Sequence, residues 1–572
     1  MKVIISMSLA VLAAQAQPGP ATRGLGPNPG GRDLYVSAAA APGGDGSRLQ
    51  PYRALADALA AAGNAAAGRV VRLLVAAGRY PERDLALRPY VEVFGGFHPQ
   101  TWQRDIAAHR TVVDAGGRGR LFRCADRARI DGLILRGGRI RGLGGALLCD
   151  GVSPIISNNV FEENETLSPQ PWKPKHIHED AHDGGAVACR NGCKAAIENN
   201  LFVRNRTENG RGGALAVIRS SPRITGNVFF ENDAGLLDPM RSSDGGAVSI
   251  YDHAHPEFRG NVVAGNRALN NNDAGGVFVA LWASPRIEGN VFVSNYADDD
   301  AGGLFIGGQK HHYDTPLDPL PPASEFYVNV IGNIFAGNRN STRNSGAFRI
   351  TMESRGLFAN NLVFGNEGAY FQRSEIEILH NTFFDEVLVT ETKDGLKPPV
   401  LLNNILWKGL KNDVETAVIQ GNLGRGDLPG NTNRKGDVRL ASDALKVVAE
   451  QIRFDPQIRA TLITLRDPLP AGYWAGWPVQ AGDHWTVIRS ASGRQISLWG
   501  DHTRLRTFAV PGSYAPEAGS PVIGAGVRLP EAKPELDRDL RGSPRPSGRP
   551  PDIGACQFDE KALRWRPVGS AP

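Results

Sequence analysis

The chain is poor in several things, and each shortage removes a class of protein. Its 572 residues include only 5 Cys and 4 Met, so neither a dense disulfide framework nor a Cys-rich metal domain is in prospect. Neither sign of charge dominates: 64 Lys and Arg face 59 Asp and Glu, interspersed, for a net +5. No basic stripe marks a nucleic-acid surface. No run of 18 apolar residues follows the first few, so no membrane span is expected. The Leu-x-x-Leu-x-Leu and Trp-Asp signatures of leucine-rich repeats and propellers are missing. Glycine and proline, in contrast, are abundant at 68 and 39, beside an ordinary 41% hydrophobic content. That combination suits many short strands joined by tight turns.

The first residues read as a secretory signal over 1–16. Lys2 supplies the charge, Val3 to Ala14 a short apolar run, and Ala14-Gln15-Ala16 small residues at a cleavage site. The Pro- and Gly-rich stretch 17–32 is expected to be a flexible leader. The expectation is an exported monomer, secreted or periplasmic.

Two patterns recur. One is Gly-Gly before a small or branched apolar residue, at Gly144, Gly184, Gly212, Gly245, Gly275 and Gly302. The other is Asn-x-Phe-x-x-Asn or a near copy, starting at Asn159, Asn200, Asn227, Asn261, Asn290 and Asn333, with later variants at Asn361, Asn381 and Asn404. From Gly pair to Asn the first five intervals are 15, 16, 15, 16 and 15, whereas from Asn to the next Gly pair they are 25, 12, 18, 14 and 12. A constant arm beside a variable one means a stacked scaffold with loops leaving along one edge. Each unit holds short strands and no helical period, so stacking pairs every strand with its copy in parallel. The Asn amides then bond from winding to winding, the Phe rings stack inside, and the Gly pair turns the corner.

The fold expected is all-β: a right-handed parallel β-helix with an N-terminal capping helix and a small C-terminal β insertion. The cap and first coils take 33–115, with the helix at Tyr52 to Ala62, and the repeats take 116–435. C-terminal coils take 436–560, with the insertion near 465–510, and a tail takes 561–572. The Ser520 to Gly526 segment and Pro551 to Cys556 read as a last coil closing the stack. Cys149 and Cys189 fall in one column with Cys124 near it, which leaves open a disulfide, a Cys189–Cys193 loop closure, or reduced inward thiols.

These motifs resemble bacterial secreted right-handed β-helix repeat proteins and the passenger repeats of polymorphic outer-membrane proteins. The opening LYVS, GGDGS, PYRALADALAAA, VRLLVAAGRY and VFGGF is similar to the start of the former. SPVIGAG with PDIGACQ is similar to its closing module. The likeness covers roughly 33–430 and 515–558. It implies the pectate-lyase-like superfamily, which holds polysaccharide lyases, glycoside hydrolases and non-catalytic surface proteins.

The variable loops leave just before the Gly-Gly strand and are polar. In register, Asp183, Asp244, Asp273 and Asp300 lie at or one position from the same corner, with Arg211 in the place of an acid in one coil. Stacked carboxylates need compensation, so Ca²⁺ is a candidate ligand of these four, beside the plainer reading of acceptors for turn amides. The loop His176, His178, Glu179, Asp180, His182, Asp183 offers imidazoles to a transition metal, or is plain surface. Arg190 and Trp282 beyond the Gly-Gly strands, and Arg241 in the loop before one of them, are candidate contacts to a sugar chain. For β-elimination Arg219, Tyr251, His253 or Lys310 would take the α-proton. For hydrolysis Asp252 would pair with Asp244 or Asp273. The expected function is a polysaccharide lyase on an acidic polysaccharide. The alternatives are a retaining glycoside hydrolase in the same groove, or a non-catalytic carbohydrate-binding solenoid.

Overall fold

The computed structural model describes residues 25–168, 182–236, 243–308, 320–441, 444–469, 475–512, 514–531 and 533–558. The chain winds as a right-handed parallel β-helix. Strands that follow Gly-Gly, such as Val187–Arg190 and Val248–Tyr251, form a 12-stranded Gly-Gly sheet. Strands after Ser-Pro, such as Arg223–Thr225, belong to a 14-stranded Ser-Pro sheet running from Arg32–Val36 to Val418–Gln420. Asn-x-Phe strands such as Leu201–Val203 belong to a second 14-stranded sheet, the Phe sheet. A short sheet of 7 two- or three-residue strands, from Arg139–Arg141 to Arg339–Asn340, links it back to the Gly-Gly side.

The Asn corner stacks as the repeat implied. Asn200 Oδ1 accepts the backbone N–H of Asn159 (2.9 Å) and its side-chain amide (3.1 Å). Asn200 Nδ2 in turn donates to the Ile156 carbonyl (2.9 Å). The same exchange runs through Asn227, Asn261, Asn290, Asn333, Asn361, Asn381, Asn404, Asn422 and Asn433. The second Asn of the motif builds a parallel ladder from Asn164 to Asn366, whose last rung is Asp385. Each rung satisfies backbone groups that a buried turn would otherwise strand. Between the ladders the Phe rings stack, 4.6 Å from Phe161 to Phe202 and 4.7 Å from Phe202 to Phe229. In the next winding Val263 takes that position.

The two glycines of a pair do different work. Gly184 has φ +71°, as an L residue would resist. Gly185 needs bareness instead, since a Cβ there would drive into the Gly213 carbonyl of the next winding. Where the pair shifts by one residue, Ala274 and Ala301 take the positive φ (both 59°), which brings Asp273 and Asp300 into true register with Asp183.

At the N-terminal end the helix is Leu55–Ala61, shorter than expected, and buries Leu55, Ala58 and Leu59 in the core. Glu82 accepts the N–H groups of Leu55 and Ala56 (2.7 and 2.8 Å). Of the expected leader, residues 25–32 are held: the Asn28 amide donates to Asp33 and to the Val70 carbonyl, and Leu25 packs on the Leu74 cluster. The signal segment lies outside the described residues.

Two expectations at the C-terminal end need correction. The insertion is a closed six-stranded antiparallel barrel from Leu445 to Val510, larger than 465–510. It lies along the outer face of the Phe sheet, where Val203, Phe230, Ala264, Val293 and Ile334 form one cluster with Trp477, Val487 and Trp499. The closing segment does not cap the stack. It folds back along the flank: Val527 N–H donates to Asn403 Oδ1 (2.7 Å), Ala555 N–H to Thr382 Oγ1 (2.9 Å), and Ile553 and Val522 pack on Ile405 and Leu423. The reason is the apolar outer surface those windings present.

Candidate functional site

The acidic corner forms one column. Backbone bonds run from Gly184 to Arg211, Gly212 to Asp244, Gly245 to Asp273 and Ala274 to Asp300, so the expected register holds. The side chains do not act as one set of four. Asp183 Oδ1 accepts the Arg211 N–H (2.7 Å), Asp244 Oδ1 the Asp273 N–H (2.9 Å), and Asp273 Oδ1 the Asp300 N–H (3.1 Å). Asp183, Asp244 and Asp273 thus each spend one oxygen holding the next winding, the turn-acceptor role.

Their second oxygens differ. Asp183, with 4% exposure, accepts the Tyr251 hydroxyl, and the Arg211 guanidinium lies 4.8 Å over the Tyr251 ring. Further along, Asp273, Asp299 and Asp300 each offer an oxygen within 4.8 Å of the others. Asp299 and Asp300 are partly exposed. Burial, then the neighbouring Asp300 charge, raises the Asp299 carboxyl above its ordinary range, while Arg349 opposes that rise. Arg349 also forms an ion pair with Asp300.

The outer face of the Gly-Gly sheet has two parts. From Leu148 to Phe305 the outward Leu148, Ala188, Ile218, Tyr251, Phe278 and Phe305 are buried and form a cluster, while Asp150 and Arg190 stay partly exposed at its edge. From Phe348–Thr351 onward it is half-exposed and polar. Arg349 sits 5.0 Å over the Tyr370 ring and donates to Gln372 Oε1 (2.7 Å), and Tyr370 shares a hydrogen bond with Thr390 (2.9 Å).

The other candidates are dispersed. Tyr251 was expected as a candidate base for β-elimination; it is 1% exposed, and burial, with Asp183 beside it, holds its hydroxyl protonated far above the usual range. Trp282 was expected to face outward; it is 3% exposed and packs edge-on against Phe326 inside the coil, because the chain has already turned after Ala280. Asp252 pairs with Arg219 at 3.0 Å, and His253 adjoins them, at the far edge of the sheet. The four-residue strand Val248–Tyr251 stands between Asp252 and Asp244. At ~3.3 Å per residue it sets them more than about 13 Å apart, too far for a retaining pair. Arg190 lies on the same far edge, bonded to Asp150 (2.7 Å). Lys310, Arg241, His176, His178, Glu179 and Asp180 lie outside the described residues.

Arg349, Tyr370 and Gln372 were missed. The signal was available: Ser345-Gly346-Ala347 and Glu367-Gly368-Ala369 repeat the corner with the first glycine replaced. The cysteines stand as thiols. Cys149 and Cys189 are direct partners in the sheet, and their sulfurs lie within 4.8 Å of each other and of Cys193. Hydrogen bonds from Cys149 and Cys189 hold the Cys193 thiol below its ordinary range.

Residues 109–314 match the family model described as the right handed beta helix region. No curated protein sequence matches the chain. Among solved structures it is similar in fold to pectate lyase Pel9A, at 12% identity over 92% of this chain and 96% of that one, TM-score 0.33. It is also similar to XylC in complex with xylose, at 10% identity over 92% and 98%, TM-score 0.39. A third is the tailspike protein gp49 from Acinetobacter baumannii bacteriophage Fri1, a capsular polysaccharide depolymerase, at 13% identity over 77% and 79%, TM-score 0.29. Among the described residues no helix is long and apolar enough to cross a membrane.

Proposed function

For this right-handed parallel β-helix protein, we propose that it binds a polysaccharide along the open part of the Gly-Gly sheet and hydrolyses it at Asp273, Asp299 and Asp300. The observation that carries the reading is the meeting of those three carboxylates within 4.8 Å beside Arg349 and Tyr370. Glycoside hydrolysis needs one carboxyl that keeps its proton and one that stays ionised. Asp299, raised by burial and by Asp300, is the proton donor; Asp300, paired with Arg349, is its partner carboxyl. Carboxylates about 5 Å apart suit a retaining course. Tyr370 and Gln372 offer a ring edge and an amide to the sugars flanking the cleaved bond.

β-Elimination loses one of its candidate bases, because Tyr251 is committed to Asp183 and closed to solvent. A second reading has support from the same crowding: Ca²⁺ relieves it as well as a proton does, and three hard oxygen donors suit that ion. Bound there, it would neutralise an acidic substrate's carboxylate. The protein acts after export, as a monomer.

The test is incubation with acidic and neutral polysaccharides, with and without chelator. Hydrolysis gives new reducing ends without unsaturated-uronate absorbance, insensitive to chelator and lost in D299N. Unsaturated products would replace it with a lyase. Binding without either product would leave a carbohydrate-binding solenoid.

A further inference from the structure

The barrel opens a second place where a ligand fits. Where it meets the last windings, a pocket of about 370 Å³ lies between barrel and coils. Five aromatic rings line it in an unbroken belt. Trp485 meets Phe364 at 5.4 Å, Phe364 meets Tyr514 at 4.9 Å, Tyr514 meets Phe384 at 4.9 Å, and Phe384 meets Trp407 at 6.1 Å. Phe364, Phe384 and Trp407 come from successive windings, Trp485 from the barrel, and Tyr514 from the segment that follows it. Trp407, Phe384 and Trp485 are only half-buried.

The polar part of the lining is Asp385, Lys408 and Gln480. Asp385 is 1% exposed and ends the second Asn ladder. Its Oδ2 accepts both Asn366 donors, at 2.9 and 2.8 Å. Every earlier rung is Asn, whose Nδ2 donates to a carbonyl of the previous winding, as Asn338 does to Phe292 (2.9 Å). The corresponding Asp385 atom, Oδ1, has no hydrogen-bond partner; Lys408 Nζ stands 4.0 Å away. A carboxylate replaces an amide at the one rung that lines a pocket. An amide there would serve the ladder better, so the exchange points to a ligand.

We propose that this seam binds a saccharide unit, as a site separate from the carboxylate cluster. The sugar lays its C–H face on the Trp407 side of the belt, and its hydroxyls donate to Asp385 Oδ1 and reach Gln480. Planar aromatic walls with one buried acceptor match the two faces of a pyranose. A site here, across the coil from the Gly-Gly sheet, would hold a second stretch of the same or another chain and raise avidity for a polymer. The proposal shares the ligand class of the reading above but does not depend on cleavage.

Titration of the full chain with neutral and acidic oligosaccharides, followed by tryptophan fluorescence and calorimetry, tests it. W407A should weaken binding at least about tenfold, the loss of a stacked ring. D385N should also weaken it several-fold while keeping the thermal transition, because Asn restores the ladder. Trp485 is left intact, since its ring packs against Gly337, Gly365 and Phe364 of the coil and helps to seat the barrel. D299N should stop cleavage without touching this binding, and W407A should spare cleavage of short substrates. The inference is overturned if no saccharide in the panel binds, if W407A and D385N leave binding unchanged, or if a quaternary ammonium probe binds there and saccharides do not.

Discussion

Two corners of the same coil solve the same problem differently. At the Asn corner and at the Asp corner, a side-chain oxygen accepts an N–H from the adjoining winding: Asn200 takes that of Asn159, and Asp183 takes that of Arg211. The amide goes on to donate its own N–H to a carbonyl, as Asn200 does to Ile156, and is then fully used. The carboxylate has a second oxygen, a charge and nothing to donate. That remainder must go to another partner. In the closed part of the Gly-Gly sheet it goes to Tyr251; in the open part it meets Asp299, Asp300 and Arg349. An amide column is therefore scaffold, whereas a carboxylate column leaves capacity for chemistry wherever the protein does not absorb it.

Exchanging the two corners gives the strongest test. N227D removes the donation to the Ile197 carbonyl (2.9 Å) and buries a charge among amides, so it should cost about 3 kcal/mol or more in urea unfolding at neutral pH. Equal stability of mutant and wild type would break the comparison. G185A should cost about 2–3 kcal/mol by the same measurement, because the Cβ meets rigid backbone at Gly213. G142A, whose Cβ would meet nothing, should cost less than G185A even though its φ is positive. The reverse exchange, D183N, keeps the bond to the Arg211 N–H but loses the charge facing Tyr251; about 1–2 kcal/mol is expected.

The smallest effect concerns Asp299. Its folded carboxyl is raised, so the fold pays for ionising it, and stability is fuller below its unfolded pKa and falls as pH rises through the folded one. D299N should melt slightly higher than wild type at pH 7, with the gap closing toward pH 4. A gap that widens on acidification would mean that the crowding is already relieved. Ca²⁺ raising the wild-type transition but not that of D299N would assign the relief to the ion.

Much of the scaffold was legible because stacking turns sequence period into spatial neighbourhood. The 15- and 16-residue arm from Gly pair to Asn became two straight sides of a coil, and Asn159, Asn200 and Asn227 became one ladder. The barrel's docking face was also written there: NLFVRN is apolar at Leu201, Phe202 and Val203 without alternation, as a strand covered on both faces must be. The candidate sites were less legible. Trp282 counted as an outward position beyond its Gly-Gly strand, but a turn after Ala280 swung it into the core. Tyr251 did point outward, and the outward face there proved closed. Arg349 and Tyr370 hid behind degenerate corners that the Gly-Gly pattern does not match.

By itself the sequence determined which residues share a column, since a repeat of nearly constant length leaves no freedom in what stacks on what. Only the tertiary structure decided which columns stay open to a ligand. Side chains of the Gly-Gly sheet itself close its face around Tyr251, while the barrel lies on the Phe sheet and the C-terminal segment folds back on the flank. Their docking rests on surface shape and apolar area between parts of the chain far apart in sequence, which no local period records.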